Sequence, residues 1–141
     1  MRLTLSFLLC SFLVLSAAAQ QTNSWSLYKA TNGIEIYYQQ VNCTTNNAPS
    51  QVAYILKVVN TTTIASRVSW DLKIWYNNEE VVHNVTEGEN HMTVEVDANR
   101  EVVGTCETPY GALYIFKDFI TYVSPTKLTR FELENIQVTK I

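Results

Sequence analysis

The sequence predicts an all-β protein, a two-layer antiparallel β-sandwich of seven to eight strands, with a closed barrel as the competing architecture. Three observations predict it. Apolar residues recur at every second position over several short segments, the mark of a strand with one buried face. Polar turns separate these segments every eight to twelve residues. The chain has 141 residues, one domain's worth, and shows no internal repeat, heptad or linker.

The first 19 residues read as a signal peptide. Arg2 supplies the positive start, Leu3 to Leu15 is almost uninterrupted apolar sequence, and Ala17-Ala18-Ala19 offers the small residues a signal peptidase needs. The expected cut lies between Ala19 and Gln20. The apolar run falls short of the about 20 residues that span a bilayer, so an uncut anchor is the weaker reading. A lipoprotein reading through Cys10 is weaker still, because Leu9 stands where a small residue belongs. Residues 20–141 are then a single domain, secreted or periplasmic, with no further stretch able to cross a membrane. Arg2 leaves with the leader, so nine of the ten Lys and Arg face 13 Asp and Glu. A net charge of about −4 lacks the basic face a duplex binder needs, which argues against nucleic acid.

Export changes how the cysteines are read. Cys43 and Cys106 remain after cleavage, and two cysteines in an exported domain most often pair. Free thiols are the alternative. Metal ligation is weaker, since only His83 and His91 could add soft ligands. Asn-x-Thr triplets begin at Asn42, Asn60 and Asn84; on a eukaryotic secretory route they could carry glycans, in a bacterium they mean nothing, and an Asn- and Thr-rich chain can produce them by chance.

Along the mature chain, Trp25 to Lys29 is a short strand before the Asn32-Gly33 turn. Ile34, Ile36 and Tyr38 alternate after it, which makes a hairpin. Asn46 to Ser50 reads as a loop. Gln51 to Asn60 carries apolar residues at both parities, as a central strand does. Asn60 to Thr63 is a polar break too short for a parallel crossover, so the next strand is an antiparallel neighbour or the next strand of a Greek key. That strand, Val68 to Tyr76, is the clearest of all. Val68, Trp70, Leu72, Ile74 and Tyr76 share one parity, and Ser69, Asp71, Lys73 and Trp75 share the other. Asn77-Asn78 breaks it. Glu80 to Asn84 is a short strand candidate and Glu87 to Asn90 a polar turn. Met92, Val94 and Val96 alternate. Tyr110 to Val123 fits a helical stripe through Ala112, Phe116, Phe119 and Val123, yet its Tyr, Ile, Phe and Thr content favours a strand. In the last segment, Thr129 to Thr139, Phe131 and Leu133 share one parity and Ile136 and Val138 the other. That face switch requires a β-bulge near Glu134-Asn135.

Leu56-Lys57-Val58-Val59-Asn60, a Thr-rich turn, then Val68-Ser69-Trp70-Asp71-Leu72 resembles the second and third strands of bacterial immunoglobulin-like domains, where a V-x-N-x-t break separates two core strands. Glu87-Gly88-Glu89 resembles the Gly-Glu turn of such domains. The order of Gly33 to Tyr38, Cys43, Val68 to Asn78, Cys106 and Phe131 to Asn135 is similar to small uncharacterised secreted proteins of Bacteroidota, across most of the mature chain. The resemblance implies an immunoglobulin-like antiparallel β-sandwich and transfers no functional residue. One departure matters. Antibody-type domains place a core Trp about a dozen residues after the first Cys, whereas Trp70 lies well beyond that distance from Cys43. A Cys43–Cys106 bridge is therefore not expected to pin one sheet to the other.

Catalytic chemistry finds little footing. No Gly-x-Ser-x-Gly elbow occurs, and four isolated glycines build no phosphate loop. His91 falls on a polar strand face. Cys106 with a histidine would be a nucleophile pair only if the bridge failed to form. Glu79, Glu80, Glu87 and Glu89 lack the alternate spacing of a calcium loop. No enzyme, cofactor or metal is expected. The remaining signal is aromatic: Trp75 and Tyr37 share parity with polar residues and so face away from the core, where an exposed ring stacks on a sugar or anchors a partner. The expected function is an exported non-catalytic interaction module with a protein or glycan partner. A glycan-binding protein and a structural envelope component are the alternatives.

Overall fold

The structure, a computed structural model, describes residues 24–45, 48–81, 90–108 and 111–141. Among them the chain forms nine strands and no helix. They are β1 (Ser26–Thr31), β2 (Ile34–Thr45), β3 (Ala48–Asn60), β4 (Ser66–Tyr76), β5 (Glu79–Glu80), β6 (His91–Val96), β7 (Glu101–Val103), β8 (Tyr114–Phe119) and β9 (Leu128–Lys140). No helix among the described residues is long and apolar enough to cross a membrane. The leader, His83, Asn84 and the Glu87–Glu89 turn lie outside the described residues.

The strands make two antiparallel sheets. In the larger, β1, β2 and β3 form a meander, and the far edge of β3 is shared by β7 beside Lys57–Val59 and β8 beside Gln51–Ile55. In the smaller, β4 is central. β9 runs along one edge, with β6 and then β5 along the other. The two strands read from Gln51–Asn60 and Val68–Tyr76 are therefore not neighbours. They lie in opposing sheets, which is the Greek-key alternative.

Three further differences from the sequence reading have local causes. Ala48–Ser50 extends β3 rather than lying in a loop, because Ala48 pairs with Thr45 across the hairpin. Tyr114–Phe119 is a strand shorter than its apolar run, since β8 finds a partner only along Gln51–Ile55. β7, three residues long, brings the count to nine and is held by the free edge of β3 rather than by any pattern of its own.

The turns rest on asparagine. Among the described residues every non-glycine with positive φ is Asn: Asn32, Asn77, Asn78, Asn99 and Asn135. Asn32-Gly33 and Asn77-Asn78 place two consecutive left-handed residues between strands, the mirror-image turn that matches strand twist. Asn tolerates this region where other L-residues resist it. Gly33 meets a second demand, because a Cβ there would lie 2.3 Å from Thr62 Cγ2.

Asn135 (φ 51°) sits in the expected bulge. Ser69 pairs with Gln137 but Asp71 with Glu134, so β9 carries one extra residue opposite Trp70. The bulge lets Leu133 and Phe131 on one side, and Ile136 and Val138 on the other, all pack against the main core.

That core lies between the sheets. Ile34, Ile36, Leu56, Val58, Val68, Trp70 and Val96 are fully buried. Asn60 is buried with them and satisfied: its Nδ2 donates to the carbonyls of Ile64 (2.8 Å) and Val96 (3.2 Å), and its Oδ1 accepts from the Thr62 N–H (2.9 Å) and hydroxyl (2.7 Å). This is why the V-x-N-x-t break has an Asn. The same amide, buried and engaged, is not open to a glycan in the folded chain.

A second, smaller cluster covers the other face of β3. Ala53 and Ile55 pack there with Tyr114 and Cys43, beneath Trp25, Val41, Phe116 and Cys106. The Cys43–Cys106 disulfide (Cα–Cα 5.3 Å) closes this cluster. It joins β2 to the β7–β8 connection on the outside of the larger sheet and does not cross between sheets.

Candidate functional site

Three tyrosines from the larger sheet converge on one phenylalanine from the smaller. Tyr38 and Tyr54 point inward by strand parity. Tyr28 does so because of an irregularity: Leu27 pairs with Tyr37 but Lys29 with Ile36, so Tyr28 is an extra residue that the bulge aims into the sandwich. Phe131 of β9 enters among them. Its ring centroid lies 5.1 Å from Tyr54, 5.7 Å from Tyr38 and 6.0 Å from Tyr28.

The rings do not close the gap between the sheets. A cleft of about 230 Å³ remains, lined by these four side chains with Thr129 and Arg130. A second, more polar groove lies further along β1 and β9, lined by Lys29, Thr31 and Leu133–Ile136. The Tyr28 hydroxyl accepts a hydrogen bond from the Leu133 N–H at 2.8 Å. Arg130 stacks on the Trp75 ring, Cζ to centroid 3.7 Å, and reaches Glu132 at 3.4 Å. Lys117 Nζ lies 5.2 Å from the Tyr54 ring. The cleft is thus aromatic in its walls, cationic at its rim and supplied with hydroxyls, a combination suited to orienting a ring or a planar polar group.

The two sequence-predicted binding residues are not brought together, because they lie on opposite outer faces of the sandwich. Trp75 is half-buried under Arg130 and adjoins the cleft through it. Tyr37 is half-buried on the larger sheet. Its hydroxyl donates to Glu35 Oε2 at 2.6 Å, which, with burial and the carboxylate charge adding, holds the phenol above its ordinary range. Lys57 Nζ sits 5.0 Å from the Tyr37 ring and 4.9 Å from Trp25.

The cleft residues carried a faint signal: two tyrosines, Tyr38 and Tyr54, at core-facing parity. A Tyr hydroxyl needs a partner when buried, so inward tyrosines in a group imply an opening. The aim of Tyr28 depends on the bulge and was not legible.

On the outer face of the smaller sheet, Asp71 joins three strands. Oδ2 accepts from Asn135 Nδ2 of β9 at 2.8 Å, and Oδ1 lies 2.8 Å from His91 Nδ1 of β6. Those bonds hold its carboxyl below the ordinary range. Beside it Lys73 is raised by its hydrogen bond to Glu134, Nζ to Oε2 3.0 Å. His91 is exposed and engaged by Asp71. Cys106 is in the disulfide. Among the described residues no group of three His, Cys, Asp or Glu is placed to hold a metal. Comparison with family models, with curated proteins and with solved structures finds no match to this chain.

Proposed function

We propose that the chain is an exported, non-catalytic interaction module with an immunoglobulin-like sandwich, and that it engages a protein or glycan partner at the cleft between β1 and β9. The observation that carries this reading is the unfilled aromatic cleft itself. Tyr28, Tyr38, Tyr54 and Phe131 form a pocket that a well-packed core would close, with Arg130 at its rim. Aromatic and Arg side chains are the groups that dominate recognition sites.

The immunoglobulin-like form draws support from the path of the chain, which passes from the larger sheet to the smaller at β3–β4, back at β6–β7 and across again at β8–β9. A disulfide is consistent with an oxidising, extracellular compartment, and residues 1–19 would be the signal peptide that delivers the chain there. A glycan is the favoured second class of partner, because stacked rings with Thr129 and Arg130 beside them suit a sugar. A structural role through strand-to-strand assembly has in its favour the outer edge of β9, which pairs with no other strand among the described residues. The Tyr28 hydroxyl on Leu133, the bulge at Asn135 and the charges at Arg130, Glu132 and Glu134 all blunt that edge.

The test is retention of the mature chain on a glycan array and on immobilised envelope proteins. Tyr38→Ala with Arg130→Ala is expected to weaken retention by about tenfold, equivalent to ~1.4 kcal/mol, and Tyr37→Ala to leave it unchanged. Unchanged retention in the double variant, with loss in Tyr37→Ala, would move the site to the outer face and overturn the cleft.

A further inference from the structure

β4 presents one continuous apolar face to the interior, yet its burial is not uniform. Val68 and Trp70 are 0 % exposed. Leu72, Ile74 and Tyr76, on the same face of the same strand, are only half-buried. The cause lies in the pairing. Along its β6 edge, β4 changes partner: it pairs with β6 up to Asp71 and with β5 from Trp75, and between them the Leu72 N–H donates to the Asn90 carbonyl and the Ile74 carbonyl accepts from the Val81 N–H. Opposite, β3 exchanges β7 for β8 at Leu56, whose N–H bonds Leu113 and whose carbonyl accepts from Gly104. A Cβ at Gly104 would lie 2.3 Å from the Leu113 carbonyl. Each sheet thus changes partner strand partway along, and the packing between them leaves space beside Leu72 and Ile74.

A cavity of about 270 Å³ lies between the sheets, lined by Leu72, Ile74, Tyr76, Met92, Ile115 and Phe119 among others, with no charged side chain among the described residues. It is separate from the tyrosine cleft and shares no lining residue with it. Apolar surface continues outward from it. Phe119 stacks on Tyr122 at 4.4 Å, and Ile120, Tyr122 and Val123 are all exposed, Val123 at 88 %. Singly such residues need no explanation. Tyr122, stacked on a residue that lines an apolar cavity, does.

We propose that this cavity binds a single hydrocarbon chain, as carried by a fatty acid or a lipid. Four points fix the chemistry. The described lining supplies no ionic partner, and a hydrocarbon chain needs none. Apolar cavities hold water poorly and accept apolar guests. Met92 supplies an adaptable wall. Phe119 in the lining stacks on the exposed Tyr122, so apolar surface leads out of the cavity, as suits an extended chain rather than a compact ring. At about 30 Å³ for a water-sized unit, the cavity holds roughly nine methylene-sized groups.

The experiment uses the mature, disulfide-bonded chain and a dansyl-labelled fatty acid. The expected result is saturable fluorescence enhancement at one probe per chain, displaced by decanoic acid, and a decanoic-acid-dependent rise in melting temperature. Leu72→Trp and Met92→Trp, which fill the cavity from two different strands, are each expected to weaken probe binding by about tenfold or more. Arg67→Ala, at an exposed ion pair away from the cavity, and the cleft variant Arg130→Ala should leave it unchanged, so this inference and the cleft reading fail separately. Co-sedimentation with phosphatidylcholine vesicles, lost in the filled variants, would assign the chain to a membrane lipid. Binding of free acid without co-sedimentation would assign it to a soluble one. Absence of saturable binding by the natural chain, or equal binding by correctly folded filled variants, overturns the proposal.

Discussion

The hydroxyl of Tyr28 takes the backbone N–H of Leu133 at 2.8 Å, so a side chain from the edge of one sheet occupies the position a tenth strand would use on the edge of the other. Tyr28→Phe keeps the ring in the aromatic cluster and removes only this acceptor. It is expected to lower stability by about 1 kcal/mol, read as a shifted urea midpoint at unchanged slope. The Leu133 amide should exchange faster with solvent. Concentration-dependent association of the variant, measured by sedimentation, would show that the hydroxyl also guards the edge. An unchanged exchange rate at Leu133 would remove the bond from the account.

Asp71 makes stability depend on acid. Its carboxyl is held below the ordinary value, first by the Asn135 amide and then by His91. A carboxylate with a depressed folded-state pKa adds stability that is fully present above the unfolded value, about 3.9. That stability is lost as pH falls through the folded value. Urea midpoints measured from pH 6 down to pH 2.5 should therefore fall more steeply for the natural chain than for Asp71→Asn. Parallel curves would show that the three-strand clamp contributes nothing, as surface pairs often do.

Trp70 is the largest fully buried side chain, and its Nε1–H has no hydrogen-bond partner among the described residues. Its stabilisation is thus volume and contact, not polarity. Trp70→Ala should cost about 3–5 kcal/mol. Trp70→Phe should cost clearly less, because it leaves the unpaired donor behind with the lost volume. Equal losses in chemical denaturation would mean that Nε1 has a role in folding after all.

Loss of the disulfide should be felt locally first. Closing a loop between residues 63 apart in sequence is worth roughly 4 kcal/mol on the chain-entropy account. The bridge touches the outer cluster of Ala53, Ile55 and Tyr114, not Trp70 or Val58. In Cys43→Ala/Cys106→Ala, hydrogen exchange should rise at Ala53 and Ile55 before it rises at Val58 and Val68. A uniform rise across both clusters would contradict two separable cores.

Much of this fold was legible because one interaction dominates each strand. Val68 to Tyr76 alternates cleanly since one side meets the core and the other meets water. Gln51 to Asn60 does not alternate, for the equally physical reason that both faces of β3 are covered. The parity switch between Leu133 and Ile136 required the bulge that Asn135 makes. β7 was invisible because three residues carry no period, and β3 recruits them by offering an open edge. The tyrosine cleft was hidden for a different reason. Tyr28 reaches it through a one-residue slip against β2, and Phe131 arrives from the other sheet. Neither local composition nor spacing records such encounters.

The five left-handed asparagines bear on the protein before it is folded. Glycine would fit the same bends, but it leaves the denatured chain freer and so raises the entropy that must be surrendered. Asparagine restrains those positions while still visiting the mirror-image backbone region. Newly made chains therefore begin their search with corners already leaning toward their final bend, at the tips where adjacent strands first zip together.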